Sequence, residues 1–261
     1  MAHIDHHAPG SFCWIELGTT DQAAAKSFYT SLFGWSVNDF PMGPGQYYSM
    51  FGLEGRNSGA AYTLDPKNMP GVPPNWALYV CVASADDTAA KAGASGGKVL
   101  GGPFDVMEFG RMAVIQDPTG AVFNIWQPKS HQGLGVTAVP GTLCWADLST
   151  PNVEGAKPFY ESLFGWKISP GEKDTSGYLH IQNGEQFIGG IPPAQFRSPN
   201  APPHWLLYFW VTDADAATAK AKELGAKVYM EPMTMEGVGR WSVIADPQGA
   251  VLALFQPMER K

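Results

Sequence analysis

Cysteine is scarce in this chain. Cys13, Cys81 and Cys144 are odd in number and include no close-spaced pair, which excludes a disulfide framework and a Cys-x-x-Cys motif. Reduced thiols in a cytoplasmic protein are the expectation. Clusters of positive charge are missing as well. With 17 Lys and Arg against 24 Asp and Glu, the formal net charge is −7. A nucleic-acid partner needs grouped cations for its phosphates, so none is expected. No apolar run approaches the ~20 residues that cross a bilayer, so no membrane partner is expected either. Met1 to Gly10 has no apolar stretch of the signal-peptide kind. There is also no Gly-rich phosphate loop and no Ser-His-Asp order.

What is present is present twice. Trp14-Ile15-Glu16-Leu17 returns as Trp145-Ala146-Asp147-Leu148, and Phe28-Tyr29-Thr30-Ser31-Leu32-Phe33-Gly34-Trp35 returns as Phe159-Tyr160-Glu161-Ser162-Leu163-Phe164-Gly165-Trp166, both 131 positions on (14 to 145). Later motifs recur 129 positions on (76 to 205): Pro74-Asn75-Trp76 with Pro203-His204-Trp205, Gly110-Arg111 with Gly239-Arg240, and Asp117-Pro118-Thr119-Gly120-Ala121 with Asp246-Pro247-Gln248-Gly249-Ala250. Two long copies that differ by a small loop deletion mean a duplicated domain rather than a solenoid.

Within one copy, Phe12 to Gly18 alternates as a strand, with Cys13, Ile15 and Leu17 on one face and Trp14 and Glu16 on the other. Thr20 or Asp21 caps a helix that Gly34 ends. Strands are expected at Trp35 to Asp39, Tyr47 to Leu53 and Gly59 to Leu64. After a Pro-rich connection the order recurs: a strand at Trp76 to Val82, a helix at Ala85 to Ala94, and strands from Lys98, from Arg111 and from Ala121, the last entered through the Asp-Pro-Thr-Gly turn. Each half therefore holds two β-α-β-β-β units.

This order, with Phe-Tyr-x-x-Leu-Phe-Gly-Trp after the first strand and Asp-Pro-x-Gly before the last, resembles the vicinal oxygen chelate superfamily of glyoxalases, bleomycin- and fosfomycin-resistance proteins and extradiol dioxygenases. The resemblance covers residues 11–128 and 141–258. It implies an α+β chain of tandem glyoxalase-like domains, each a half-open eight-stranded barrel, with 1–10 as a disordered leader and 129–140 as a linker. In the family's enzymes the concave face holds a divalent metal. The matching positions here are Trp14, Ala77 and Asn124, then Trp145, Leu206 and Ala253, which do not suit a divalent cation. No cofactor is therefore expected. A two-residue register error would bring in Glu16, Asp147, Asn75 or His204, so a metal is not excluded.

Several residues are candidates for a site. Glu16 and Asp147 share the face of Trp14 and Trp145, where a buried carboxylate acts either as a ligand anchor or general base, or as a structural group neutralised by Arg111 or Arg240. Arg111 and Arg240 themselves either clamp an anionic ligand or pair across the sheet. Tyr79, Tyr208, Trp126 and Phe255, with Asn124, line the same expected concavity or pack the core. His3, His6 and His7 form an unanchored His-rich leader. Two functions remain open. One is a small-molecule-binding protein of the glyoxalase and bleomycin-resistance type, taking a flat apolar or aromatic ligand without a catalytic metal, as a monomer or weak homodimer. The alternative is an enzyme, a glyoxalase-like lyase or isomerase or an oxygenase of the dioxygenase or hydroxylase kind.

Overall fold

The computed structural model describes residues 3–171, 175–198 and 200–258. In the first half β1 (Phe12–Thr19), α1 (Gln22–Phe33), β2 (Ser36–Gly43), β3 (Gln46–Leu53) and β4 (Arg56–Thr63) form one unit. The second unit is β5 (Asn75–Cys81), α2 (Ala85–Ala94), β6 (Lys98–Val106), β7 (Gly110–Gln116) and β8 (Val122–Pro128). The other half repeats this as β9 (Leu143–Ser149), α3 (Val153–Phe164), β10 (Lys167–Pro170), β11 (Leu179–Asn183) and β12 (Gln186–Ile191), then β13 (His204–Trp210), α4 (Ala214–Glu223), β14 (Lys227–Met235), β15 (Gly239–Ala245) and β16 (Val251–Pro257).

Local chemistry sets the helix ends in both copies. Asp21 caps α1 by accepting from the Ala24 amide, and Asn152 caps α3 by accepting from Gly155. Gly34 and Gly165 stop the same helices in the left-handed region, at φ 73° and 71°. Each half then builds its own eight-stranded sheet, ordered β2-β3-β4-β1-β5-β8-β7-β6 and β10-β11-β12-β9-β13-β16-β15-β14. The two units of one half thus meet at β1–β5 and are not exchanged with the other half. The outer strands of each sheet do not pair, so the sheets curl without closing. No helix among the described residues is long and apolar enough to cross a membrane.

The face of each sheet that carries the helices is also the face on which the halves meet. Tyr29 of α1 donates to Asp246 at 2.9 Å, and Tyr160 of α3 donates to Asp117 at 2.9 Å. The two bonds are equivalent under the repeat, so the contact has internal twofold character. Each aspartate opens an Asp-Pro-x-Gly turn. Its other oxygen accepts the turn's own amides, those of Thr119, Gly120 and Ala121 or of Gln248, Gly249 and Ala250. Tyr29 and Tyr160 in turn accept the indole N–H of Trp76 and Trp205. Around these bonds Phe209 stacks on Phe33, and Phe123 meets Tyr160 and Phe164. Trp35 and Trp166 reach across to the backbone oxygens of Gly141 and Gly10. Phe28, Trp35 and their repeats Phe159 and Trp166 are buried, and Trp35 and Trp166 form part of the seam between domains rather than of two separate cores.

The leader departs from expectation. Residues 3–10 are not loose: the Ile4 amide donates to Gly135 O, the His7 ring lies 2.9 Å from Leu134 O, and Gly10 N donates to Cys81 O. The linker supplies free backbone groups there, and the leader pairs with them. Leu134 and Val136 are buried in consequence.

The interdomain bonds carry a measurable cost of removal. Tyr29→Phe strands both the outer oxygen of Asp246 and the Trp76 indole, two buried groups that each cost about 1–3 kcal/mol when unpaired. We expect a loss of about 2–4 kcal/mol in urea unfolding. Tyr160→Phe should match it, and a loss under half a kcal/mol in either would show that the bond is not structural.

Candidate functional site

The concave faces are lined by β1, β5 and β8 in the first domain and by β9, β13 and β16 in the second. Strand register brings the expected residues together. Trp14 pairs with Tyr79, which pairs with Asn124, and Trp126 lies one step along beside Met112. The corresponding row is Trp145, Tyr208 and Ala253, with Phe255 one step along. Gly110 and Gly239 make this possible: a Cβ at either would collide with the ring of Trp126 or Phe255.

A carboxylate sits at the centre of each face. Tyr79 donates to Glu16 at 2.6 Å, and the Trp14 indole donates to Tyr48 at 3.1 Å. Asp147 accepts more densely. The Trp145 indole donates to it at 3.0 Å, Tyr208 at 2.8 Å, and Tyr178 bonds the same oxygen as Trp145. Burial pushes both carboxyls above their ordinary values, against the hydroxyl donors that pull them down. Tyr79 and Tyr208 are raised well above the ordinary phenol by burial and by the adjacent carboxylate.

Tyr48 and Tyr178 were not evident in the sequence. They are equivalent, yet 130 positions apart, between the two repeat offsets and inside the stretch where the deletion falls. The tyrosine also follows Trp14 by 34 residues in one copy and Trp145 by 33 in the other, so no fixed spacing marked it.

Arg111 and Arg240 require correction as pocket residues, whereas the alternative of pairing across the sheet holds: Arg111 meets Asp105 of β6 at 3.5 Å and Arg240 donates to Thr234 of β14 at 2.9 Å. Neither arginine enters the concavity nor neutralises Glu16 or Asp147. Arg111 holds Asp86 of α2 through two bonds of 2.7 and 2.9 Å, and Arg240 holds Asp215 of α4 through two of 2.6 and 2.7 Å. Arg111 is paired in register with Gln127, whose side chain accepts from Ala85 at the start of α2. Parity thus turns the arginine to the helix side, while Gly110 and Met112 face the pocket.

The donors present do not fit a divalent cation. Among the described residues no three His, Cys, Asp or Glu side chains come together as a metal set. Each face offers one carboxylate, already wrapped in hydrogen-bond donors. The register-shifted alternatives do not converge on it, because Asn75 bonds Pro73 O and His204 bonds Pro202 O in their own loops. Two grooves also open at the ends of the domain seam, one beside Phe33 and Trp210 with Asp213 and Lys220 on its wall, the other beside Phe164 and Cys81 with Asp87 and Lys91.

Comparison with known proteins agrees with this architecture. The family model for the glyoxalase/bleomycin resistance protein/dioxygenase superfamily matches residues 4–125 and again 142–254. CFP32 of Mycobacterium tuberculosis, provisionally named a glyoxylase, is 41% identical and covers 98% of each chain. The anthracycline biosynthesis protein DnrV of Streptomyces peucetius is 33% identical over 97% of this chain and 95% of its own. The Mn(II)-bound glyoxalase of Novosphingobium aromaticivorans superposes with a TM-score of 0.66 at 17% identity, over 96% of this chain and 83% of that one. At that identity the likeness shows the fold alone.

The raised carboxyl of Asp147 gives a pH signature. The folded protein keeps a proton there that the unfolded chain releases near its ordinary value of about 4, so this group makes stability fall as pH rises through the window above that value. Asp147→Asn removes the titration. The stability of the native protein minus that of the variant should therefore shrink between about pH 4 and pH 7 in urea unfolding, and a constant difference would contradict the assignment.

Proposed function

The chain belongs to the glyoxalase/bleomycin resistance protein/dioxygenase superfamily, and from that premise we propose that it binds a flat, apolar or aromatic small molecule on a concave sheet face without a resident catalytic metal. One observation carries this reading. Where a metal enzyme needs a convergent set of anionic and imidazole ligands, each face presents indole and phenol rings around a single carboxylate, with one imidazole, that of His180, on the second face and no set of three such ligands among the described residues. Such a face offers stacking surface with a few fixed polar groups. One relative is named for the biosynthesis of anthracyclines, which are fused-ring compounds, and that name supports a planar ligand.

A metal-free enzyme is the second reading, because burial lifts Glu16 and Asp147 towards the range in which a carboxylate serves as general base. The hydroxyl and indole donors that fill the lone pairs of Asp147 weigh against it, since they stabilise the ionised form without leaving a free site for a substrate proton.

The test is a screen of aromatic metabolites by thermal unfolding, run with and without a chelator. A ligand at ~100 times its dissociation constant should stabilise the protein by roughly 2.7 kcal/mol, equally in both conditions. Elemental analysis of dialysed, tag-free protein should find far less than one Zn, Ni, Mn or Fe per chain. A near-stoichiometric metal, or binding that the chelator abolishes, would overturn the reading. Turnover of a bound compound that Asp147→Asn or Glu16→Gln abolishes while its affinity is kept would favour the enzyme instead.

A further inference from the structure

The two concave faces are not equivalent. In the first domain Trp14, Tyr79 and Trp126 are only 3%, 4% and 6% exposed. Their counterparts Trp145, Tyr208 and Phe255 are all half-buried. The linker accounts for the difference. His131 packs edge-on against Trp14 at 4.5 Å and against Trp126 at 5.9 Å, and its backbone oxygen accepts the Trp126 indole at 3.0 Å. Leu134 N donates to Cys13 O, and His7 of the leader bonds Leu134 O, so leader and linker are fastened over the start of β1. By the 129-residue offset of this part of the repeat His131 corresponds to position 260, outside the described residues, and no described segment covers the second face in this way.

The repeat also breaks chemically on the open side. One row of the first domain reads Met50, Ala60, Glu16, Ala77 across β3, β4, β1 and β5. The same row of the second reads His180, Gly190, Asp147, Leu206 across β11, β12, β9 and β13. An imidazole stands where the first domain has a thioether, and a glycine stands between it and the carboxylate. A Cβ at Gly190 would lie 2.1 Å from the Tyr178 hydroxyl, so the glycine is what lets Tyr178 reach Asp147. The His180 ring sits among aromatic rings, 5.0 Å from Tyr178, 5.4 Å from Phe187 and 6.5 Å from Trp145. Its Nδ1 is shut off from water and has no hydrogen-bond partner. Buried polar atoms without partners are uncommon and call for an explanation, and a missing ligand group is one. The last torsion of a histidine side chain is soft, so the ring can turn this nitrogen towards a ligand edge.

We propose that the ligand site is the concave face of the second domain alone, and that its ligand is a planar aromatic carrying a hydroxyl or carbonyl at the edge that meets His180. This inference rests on the binding reading above and adds the domain and the ligand class. The ring stacks between Trp145, Tyr208 and Phe187, and the oxygen bonds the His180 nitrogen. The first domain's face is covered over Trp14 and Trp126 by the chain's own linker and serves as scaffold.

Naphthol and naphthalene are the probes. Calorimetry on the full chain should find one naphthol per chain, bound about fivefold to tenfold more tightly than naphthalene, the worth of one hydrogen bond. His180→Met, which restores the first domain's residue, should cancel that preference while naphthalene still binds, and the retained binding reports that the variant is folded. With fluorotryptophan incorporated, fluorine NMR should show the Trp145 signal shifting on titration and the Trp14 signal still. A shift at Trp14 without one at Trp145, two molecules per chain, or equal affinity for the two probes in the native protein would overturn the proposal and leave the binding reading standing. Failure of both probes to bind either face would sink that reading, and this proposal with it.

Discussion

The aspartate of each Asp-Pro-x-Gly turn is the point on which the rest of the molecule depends. A carboxylate this deeply buried is tolerable only when its oxygens are satisfied, and here they are satisfied by two different bodies. One oxygen gathers the amides of its own turn, fixing the hairpin that leads into β8 or β16. The other accepts a tyrosine hydroxyl from the opposite domain. The two motifs that repeat most clearly in the chain are therefore the two halves of one contact, made twice. A neutral phenol serves better than a cation at this place, because it adds no second charge whose burial would have to be offset.

That seam decides where function can be. By occupying the helix-bearing faces of both sheets, it leaves the opposite, concave faces as the surfaces free to meet a ligand. Those faces are built from the same strands, one residue out of phase. Leu17 and Trp76 look to the seam, and Glu16 and Tyr79 look to the pocket. The pocket's polar centre then follows from reach and burial. A carboxylate on the middle strand lies within range of a tyrosine on the adjacent β5 or β13 and of a second reaching in from two strands away on the other side, and desolvation raises its proton affinity as the hydroxyls lower it.

Much of this was legible in the residues. The repeat located both domains, the alternation put Trp14, Glu16, Tyr79 and Trp126 on one face, and the capping pattern placed α1. The tyrosines that complete the carboxylate's shell were not legible, because Tyr48 and Tyr178 lie on hairpins whose lengths differ between the copies. Arg111 misled for a related reason. It follows a glycine that belongs to the pocket face, and one residue of phase separates a ligand clamp from a tie to the neighbouring helix. The leader misled because composition reports what a segment can do alone, and this one pairs with a linker more than 120 residues away, as His7 does with Leu134.

The sequence by itself determined the duplication, the strand and helix order and the phase of each central strand, all of which are properties of neighbouring residues or of their periodicity. Tertiary structure alone decided that the two units of each half share a sheet, that the repeated motifs face each other across a seam, and that the linker packs over Trp14 and Trp126 on one concave face. Those outcomes depend on contacts between residues far apart in the chain, and a one-residue phase or a two-residue deletion is enough to conceal them from any local reading.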